Sequence, residues 1–306
     1  MGDVTEEIRS ACDWVAARAR HVQIDHGVIA AYAASLPPVS TPSAERTSPG
    51  SAEREQLTAF WLTLDAVNFG SGWFPTLRKP PGRSGYHTIA EAIRERFERQ
   101  GAWTADQLTR VNPAEIAAVL GQDSGHELMA LFACSLRDLG EHLNTNHGGR
   151  FAAPIDYTDT SAVKLVELLA GWSCFADTSS YEGRPIPFLK RAQIAAADLH
   201  RVGAATFGDL GRLTMFADNL VPHVLRLDGA LRFAPSLVER IDRHSLIEHG
   251  SPEEVEIRAC SVHAVELIVD ARPGTYAAAV DQLLWERGSG ARYKASPRHR
   301  CRCTAY

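Results

Sequence analysis

Residues 187–233 read PFLKRAQIAAADLHRVGAATFGDLGRLTMFADNLVPHVLRLDGALRF. Phe188, Ala192, Ala195, Leu199 and Val202 recur at helical spacing, so a first helix with one core-facing stripe is expected. Arg191, Ile194 and Asp198 lie along one edge of that stripe. Asp198 therefore stands at the border of the buried face, where a carboxylate needs a partner or a task. In the second segment Asp218 precedes NLVPHVLRL, with Pro222 early enough for a first turn and Leu220, Val224, Leu227 and Leu231 at helical spacing. Asp218 is thus an N-cap candidate beside the positive end of a helix dipole. By spacing alone, an aspartate opening a helix is a cap and one on a helix edge is a solvated charge.

The rest of the chain reads the same way. Ile8, Cys12, Val15 and Ala19 share one helical face, and Leu57, Phe60, Trp61 and Leu64 mark a helix ending before Asn68. Residues 36–55, rich in Pro and Ser, are expected to be an exposed loop. Capping-box patterns stand at Thr88/Glu91, Thr104/Gln107, Ser124/Glu127 and Ser251/Glu254, and Asn112-Pro113 and Ser251-Pro252 place Pro at a first helical position. Gly101 and Gly121 fit helix stops, and 124–146, 160–172 and 274–287 are further helical runs. No stretch alternates long enough to argue a sheet. The expected fold is all-α, as one large helical domain over 1–306 or two intimately packed lobes.

Composition excludes several classes. The 306 residues are 45% hydrophobic and 23% charged with net charge −5, which gives no support for a protein that tracks a nucleic-acid backbone. The acidic start MGDVTEEIRSACDW lacks a basic-then-apolar leader, Glu6 blocks a myristoylation pattern, and no run approaches a membrane span. Six scattered cysteines suggest neither a disulfide framework nor a zinc ligand set, which points to a reducing cytoplasm. Cys301 and Cys303, with no second pair nearby, are assigned to C-terminal packing. There is no P-loop, no strand–GxGxxG–helix unit, no HExxH and no GxSxG elbow, so neither a cofactor nor a metal is expected. The loop NFGSGWFPTLRKPPGRSGY (68–86) interleaves Trp73, Phe74 and Tyr86 with Arg78, Lys79 and Arg83, and is a candidate site lining.

The words FLKRAQIAAAD, LTMFADNLVPHVL and VEIRACSVHAVELI, in that order, resemble the queuosine-salvage family. LDAVNFGSGW (64–73), Gly85-Tyr86, Ser161-Ala162 with Lys164-Leu165, Asp177 before Glu182-Gly183, and the ending RHRCRCTAY add to the likeness, which covers about residue 57 to the end. Leu189, Asn219 and Gly70-Ser71-Gly72 depart from the family's usual wording and bear on the local shape of the pocket. The resemblance implies cleavage of the N-glycosidic bond of queuosine 5'-phosphate, with queuine released. It also brings a distant similarity to helix-hairpin-helix DNA glycosylases, whose core would be 187–233. GDLGRLTM replaces the glycine hairpin through which those enzymes hold DNA, which favours a free nucleotide over nucleic acid.

By that analogy Asp218 is the charge-stabilising or nucleophilic carboxylate and Asp198 the second one, at the base edge or in proton transfer; the order is open to reversal. Lys190, Arg191 and Arg258 are phosphate candidates, and Asp177 or Glu256 suits the cationic amine of queuine. Asn68, Phe74, Tyr86 and Phe216 are the remaining candidate substrate contacts. The competing readings are a non-enzymatic helical nucleotide- or queuine-binding module and a nucleic-acid glycosylase.

Overall fold

A computed structural model describes residues 3–38 and 49–306. Helices dominate, as expected. The N-terminal part comprises α1 (Val4–Ala16), α2 (His26–Ser35), α3 (Ser51–Ala66), α4 (Gly85–Gln100), α5 (Ala105–Leu108), α6 (Pro113–Leu120) and α7 (Glu127–His147). Next come α8 (Ala153–Tyr157), α9 (Ala162–Ala170), α10 (Lys190–Arg201) and α11 (Val221–Leu227). The last four are α12 (Pro235–Asp242), α13 (Pro252–Asp270), α14 (Ala277–Arg287) and α15 (Ala291–Ala295). Among the described residues no helix is long and apolar enough to cross a membrane.

Two small antiparallel pairs were not foreseen. β1 (Val22–Ile24) pairs with β4 (Leu231–Phe233), and β2 (Thr178–Tyr181) with β3 (Arg184–Pro187). Runs of three or four residues are too short to show alternation in sequence. The β2–β3 turn has Glu182 and Gly183 at φ 47° and 79°, the left-handed pair that a tight hairpin requires. Leu231, read as a continuation of the second helix, instead opens β4, because Gly229 at φ 86° ends α11 first.

Helix starts were read well in part. Thr104/Gln107 forms a full capping box, Asn112 caps α6 through the Glu115 N–H, and Ser251 caps α13 through the Glu254 N–H. Thr88 is not a cap. Its hydroxyl donates to the Ser84 carbonyl, and Ser84 starts the helix a turn earlier. Ser124 likewise yields to His126, whose ring accepts the Leu128 N–H. The Pro/Ser-rich loop also ends sooner than expected, since residues 51–55 already belong to α3; its residues 39–48 lie outside the described residues.

α13 is the central element. Val255 to Val262 are all buried without a break, so the helix is enclosed on every side. It packs against α1, α2, α14 and α11 and along β1. Its polar residues must then find partners inside the protein. Glu256 Oε2 accepts the backbone N–H groups of Arg20, His21 and Val22, and Oε1 accepts the Tyr181 hydroxyl. One carboxylate thus fixes the start of β1 against the core.

α10 and α11 flank residues 202–220, a long segment that holds a 3₁₀ turn (Leu210–Arg212) instead of a short glycine hairpin. The helix-hairpin-helix likeness is one of element order.

Close helix packing gives a test of the fold. Gly140 lies inside α7, where alanine would ordinarily stabilise by up to about 1 kcal/mol. A Cβ there would stand 2.6 Å from the Ala105 carbonyl oxygen and 2.8 Å from Leu108 Cβ. Gly140→Ala is therefore expected to destabilise by about 1–3 kcal/mol in chemical denaturation. A gain in stability would mean that α5 does not pack on α7 at this distance.

Candidate active site

α10 begins abruptly. Leu189 precedes it at φ 52°, and no side chain of its own caps it. The cap comes from outside: Asp177 Oδ2 accepts the Lys190 N–H at 3.0 Å, and the Asp177 carbonyl accepts the N–H groups of Phe188 and Leu189. The same carboxylate is held bidentately by Arg258, at 3.0 and 2.6 Å, with both side chains buried. Arg258 Nε donates to the Ala217 carbonyl, one residue before Asp218. Its guanidinium also lies over Phe188 and Tyr306.

Asp218 sits just ahead of α11, half-buried. Its Oδ1 accepts the N–H groups of Leu220 (2.8 Å) and Val221 (3.1 Å), an Asx turn leading into α11; the N-cap position itself falls on Leu220, two residues later than the sequence suggested. The other oxygen, Oδ2, takes no hydrogen bond among the described residues.

Lys190 is buried, and its ammonium donates to the Asn68 carbonyl (2.9 Å) and Asn68 Oδ1 (3.3 Å). Burial pushes its pKa down to about 8, against the opposing charge of Asp218 first and of Asp65 and Asp177 after the Arg191 repulsion.

Asp198 lies where the periodicity put it, at the edge of the buried face of α10, paired with Arg201 at 3.0 and 2.8 Å. The unexpected partner is Asp65, on the last turn of α3. It is fully buried and neither oxygen has a hydrogen-bond partner. Burial pushes the Asp65 carboxyl well above the usual range, and the Asp198 charge pushes it further; Lys190 and the Asn68 amide pull the other way. Asp198 is raised as well, by burial against Arg201 and Lys190. Burial of both groups, with the Asp198 charge acting on Asp65, disfavours ionising the two together. Tyr86 adjoins this pair, its hydroxyl pKa raised by burial and then by both aspartates. Its ring meets Trp285 edge-on at 6.4 Å.

The far side is completed by two groups absent from the sequence reading. Asp281 is buried and accepts the Phe216 N–H at 3.0 Å, and burial followed by the Asp218 charge raises its pKa strongly. Arg298, half-buried on the C-terminal segment, is pushed down by burial while the Asp218 charge opposes the shift. Its guanidinium has no hydrogen-bond or ion-pair partner among the described residues. Lys79 donates to the Phe74 carbonyl, and burial and then the Arg298 charge lower its pKa. Phe74 itself packs against Gly85, where any Cβ would collide with its ring.

The structure therefore brings together Asn68, Tyr86, Lys190, Asp198, Phe216 and Asp218, with Asp65, Asp281, Trp285 and Arg298 beside them. It commits the other candidates elsewhere. Arg191 is buried, donates to the Ala66 carbonyl at 2.7 Å and lies over Phe69. Arg258 is spent on Asp177 and Ala217, and Glu256 on β1 and Tyr181. Arg258 and Glu256 thus have their polar atoms committed inside the protein, whereas Arg191 makes one hydrogen bond and its Nε has no hydrogen-bond partner among the described residues.

Residues 48–306 match the family described as queuosine salvage protein. The chain belongs to the queuosine salvage protein family. A queuosine 5'-phosphate N-glycosylase/hydrolase of Sphaerobacter thermophilus is 34% identical over 307 residues, covering 95% of each chain. Proteins of that name from Bos taurus (35% identical, 81% of this chain and 78% of that one) and Mus musculus (27%, 97% and 98%) are similar too. Within the family wording, Asp65 belongs to LDAVNFGSGW and Arg298 stands directly before RHRCRCTAY's histidine. Asp65 was open to detection as the lone carboxylate in a run otherwise apolar or hydroxylic, AFWLTLDAV. Asp281, in AAAVDQLL, gives the same signal.

Two outcomes follow for this chain. Asp177→Ala leaves Arg258 buried without its carboxylate, and is expected to cost about 3–5 kcal/mol of unfolding free energy. Asp65→Asn should behave in the opposite sense. A carboxyl whose folded pKa is raised loses stability as pH climbs from its ordinary 3.8 toward the folded value. The variant is therefore expected to be more stable than the parent at neutral pH, with the gain vanishing in acid. A variant destabilised at neutral pH would mean that Asp65 is ionised and paired.

Proposed function

We propose that this protein hydrolyses the N-glycosidic bond of queuosine 5'-phosphate, yielding queuine and ribose 5-phosphate. Similarity along almost the whole length to proteins of that name supports the substrate. The observation that carries the chemistry is Asp218, fixed by its own cap and by Arg258 on Ala217, with one carboxylate oxygen left free beside Lys190 and Arg298.

Cleavage sends the bonding pair of the C1'–N bond to the base and leaves positive charge on the ribose. The Asp218 carboxylate stabilises that charge, water adds its oxygen at C1', and the proton it loses balances the one taken up by the departing base. Because the base is a 7-deazaguanine, N7 protonation is not available, and stabilisation falls more heavily on the sugar charge and on hydrogen bonds to the rest of the base. Asp65 and Asp198, both pushed toward the protonated form, are assigned to the base edge as hydrogen-bonding groups, with Tyr86, Phe216 and Trp285 as apolar neighbours. Arg298, whose guanidinium has no partner among the described residues, and Lys79, which feels its charge, are assigned to the 5'-phosphate in preference to the buried Arg191 and Arg258. The net charge of −5 favours a free nucleotide over nucleic acid, and the six free cysteines suit a reducing cytoplasm.

The test is release of base from queuosine 5'-phosphate, from the nucleoside and from an oligonucleotide. Asp218→Asn preserves the capping oxygen and removes the charge. It should leave the melting temperature and queuine affinity near the parent values while single-turnover rate falls roughly 10²–10⁴-fold. Near-parent turnover would reduce Asp218 to a cap, and a large loss only in Asp198→Asn would reverse the two roles. Arg298→Met is expected to weaken the monophosphate far more than the nucleoside; equal loss on both would assign Arg298 to folding.

A further inference from the structure

The sequence separates Cys301 and Cys303 from any other metal ligand, but the fold brings His249 to them. One ring nitrogen and the two Sγ atoms all lie within 4.8 Å of one another. Tetrahedral zinc, with Zn–S about 2.3 Å and Zn–N about 2.0–2.1 Å, sets neighbouring ligand atoms about 3.5–3.8 Å apart, so small side-chain movements close the set. We propose that His249, Cys301 and Cys303 bind a thiophilic divalent cation, with zinc as the expected occupant, that fastens the C-terminal segment to the loop preceding α13.

The surroundings suit such an ion. Both cysteines are free and buried, forming a cluster with Ala305 and Tyr306 apart from the main core. The His249 side chain is 41% exposed, which gives the ion a path of entry. The two ligand segments are already aligned by backbone: the Ile247 N–H donates to the Arg300 carbonyl at 2.8 Å, and Arg300 Nη2 donates to the His244 carbonyl at 2.9 Å.

Glu254 supplies a second, independent sign. Its side chain is fully buried, yet Oε1 has no hydrogen-bond partner; it stands 3.6 Å from His249 Nδ1 and 3.7 Å from Arg258 Nη1. Oε1 is thus held only by the charges of His249 and Arg258, and with a metal on one ring nitrogen of His249 the other ring N–H would turn to it, the usual carboxylate–histidine–metal arrangement. Charge also balances. Two thiols release two protons as they take up the dication, the neutral imidazole adds nothing, and Glu254 remains to face Arg258.

The site would be structural, with no part in bond cleavage. Contacts run from His249 through Glu254 and Arg258 to Asp177 and the start of α10. The tail it would anchor also receives the Gly70 N–H at the Tyr306 carbonyl and the Asn219 amide at the His299 carbonyl.

The experiment uses the full chain, untagged, purified under reducing conditions from zinc-supplemented cells. Elemental analysis should find about one zinc per chain after gel filtration. Cobalt exchanged into the parent protein should give a thiolate-to-cobalt charge-transfer band, and a strong chelator should lower the melting temperature. His249→Gln and Cys303→Ser should lose the zinc and the chelator sensitivity. The proposal is overturned by a metal-free parent protein that shows no thiolate–cobalt band, or by variants that keep zinc as the parent does. An oxidised Cys301–Cys303 pair in protein kept anaerobic would overturn it as well. None of these readouts depends on glycosidase activity.

Discussion

Everything around the site depends on the buried ion pair of Asp177 and Arg258. Taking two charges out of water costs several kcal/mol each, and only excellent geometry with further hydrogen bonds offsets it. Here the further bonds are the useful part. Asp177 spends its second function on the N-terminus of α10, where free N–H groups need an acceptor and the helix dipole favours an anion. Arg258 spends its third donor on Ala217. One pair of side chains thereby fixes the helix that carries Lys190 and Asp198 relative to the turn that carries Asp218. The strained Leu189, at φ 52°, is held in place by the Asp177 carbonyl between two strands of bonding.

The electrostatics of the pocket follow from how unequally its four aspartates are treated. Asp65, Asp198 and Asp281 are desolvated and pushed toward the neutral form, whereas Asp218 keeps two backbone donors and partial access to solvent. Neighbouring carboxyls with divergent environments can divide acid and base roles between them. Lys190 is the counter-charge common to the group, and its own burial keeps it from neutralising all of them.

The residues around Asp218 also rest on a rigid frame. The C-terminal segment provides part of it: a Cβ on Gly72 would collide with the Cys301 carbonyl, so the tail and the loop after α3 lie in direct backbone contact. Glu256 plays the same part at the opposite end, gathering three N–H groups of the β1 approach into the core. Burying charged residues at four-residue spacing along one helix, Glu254 and Arg258, links both parts to α13.

The sequence by itself determined the helical class, the helix starts at Thr104, Asn112 and Ser251, the edge position of Asp198 and the turn at Asp218 that leads into α11, because each is set by periodicity or by contacts within a few residues. The family wording likewise marked the right segments. It did not separate site from frame. Arg258 read as a phosphate ligand, and Asp177 and Glu256 as carboxylates for the amine of queuine, since nothing local reveals that each is matched to a partner far along the chain. Asp177 and Arg258 are 81 residues apart, and Glu256 and His21 are 235. The same reason hid Asp65 opposite Asp198 and His249 beside Cys301 and Cys303. Which buried charge is neutralised, and which is left free to act, is decided by long-range desolvation and pairing, and only the tertiary structure carries that information.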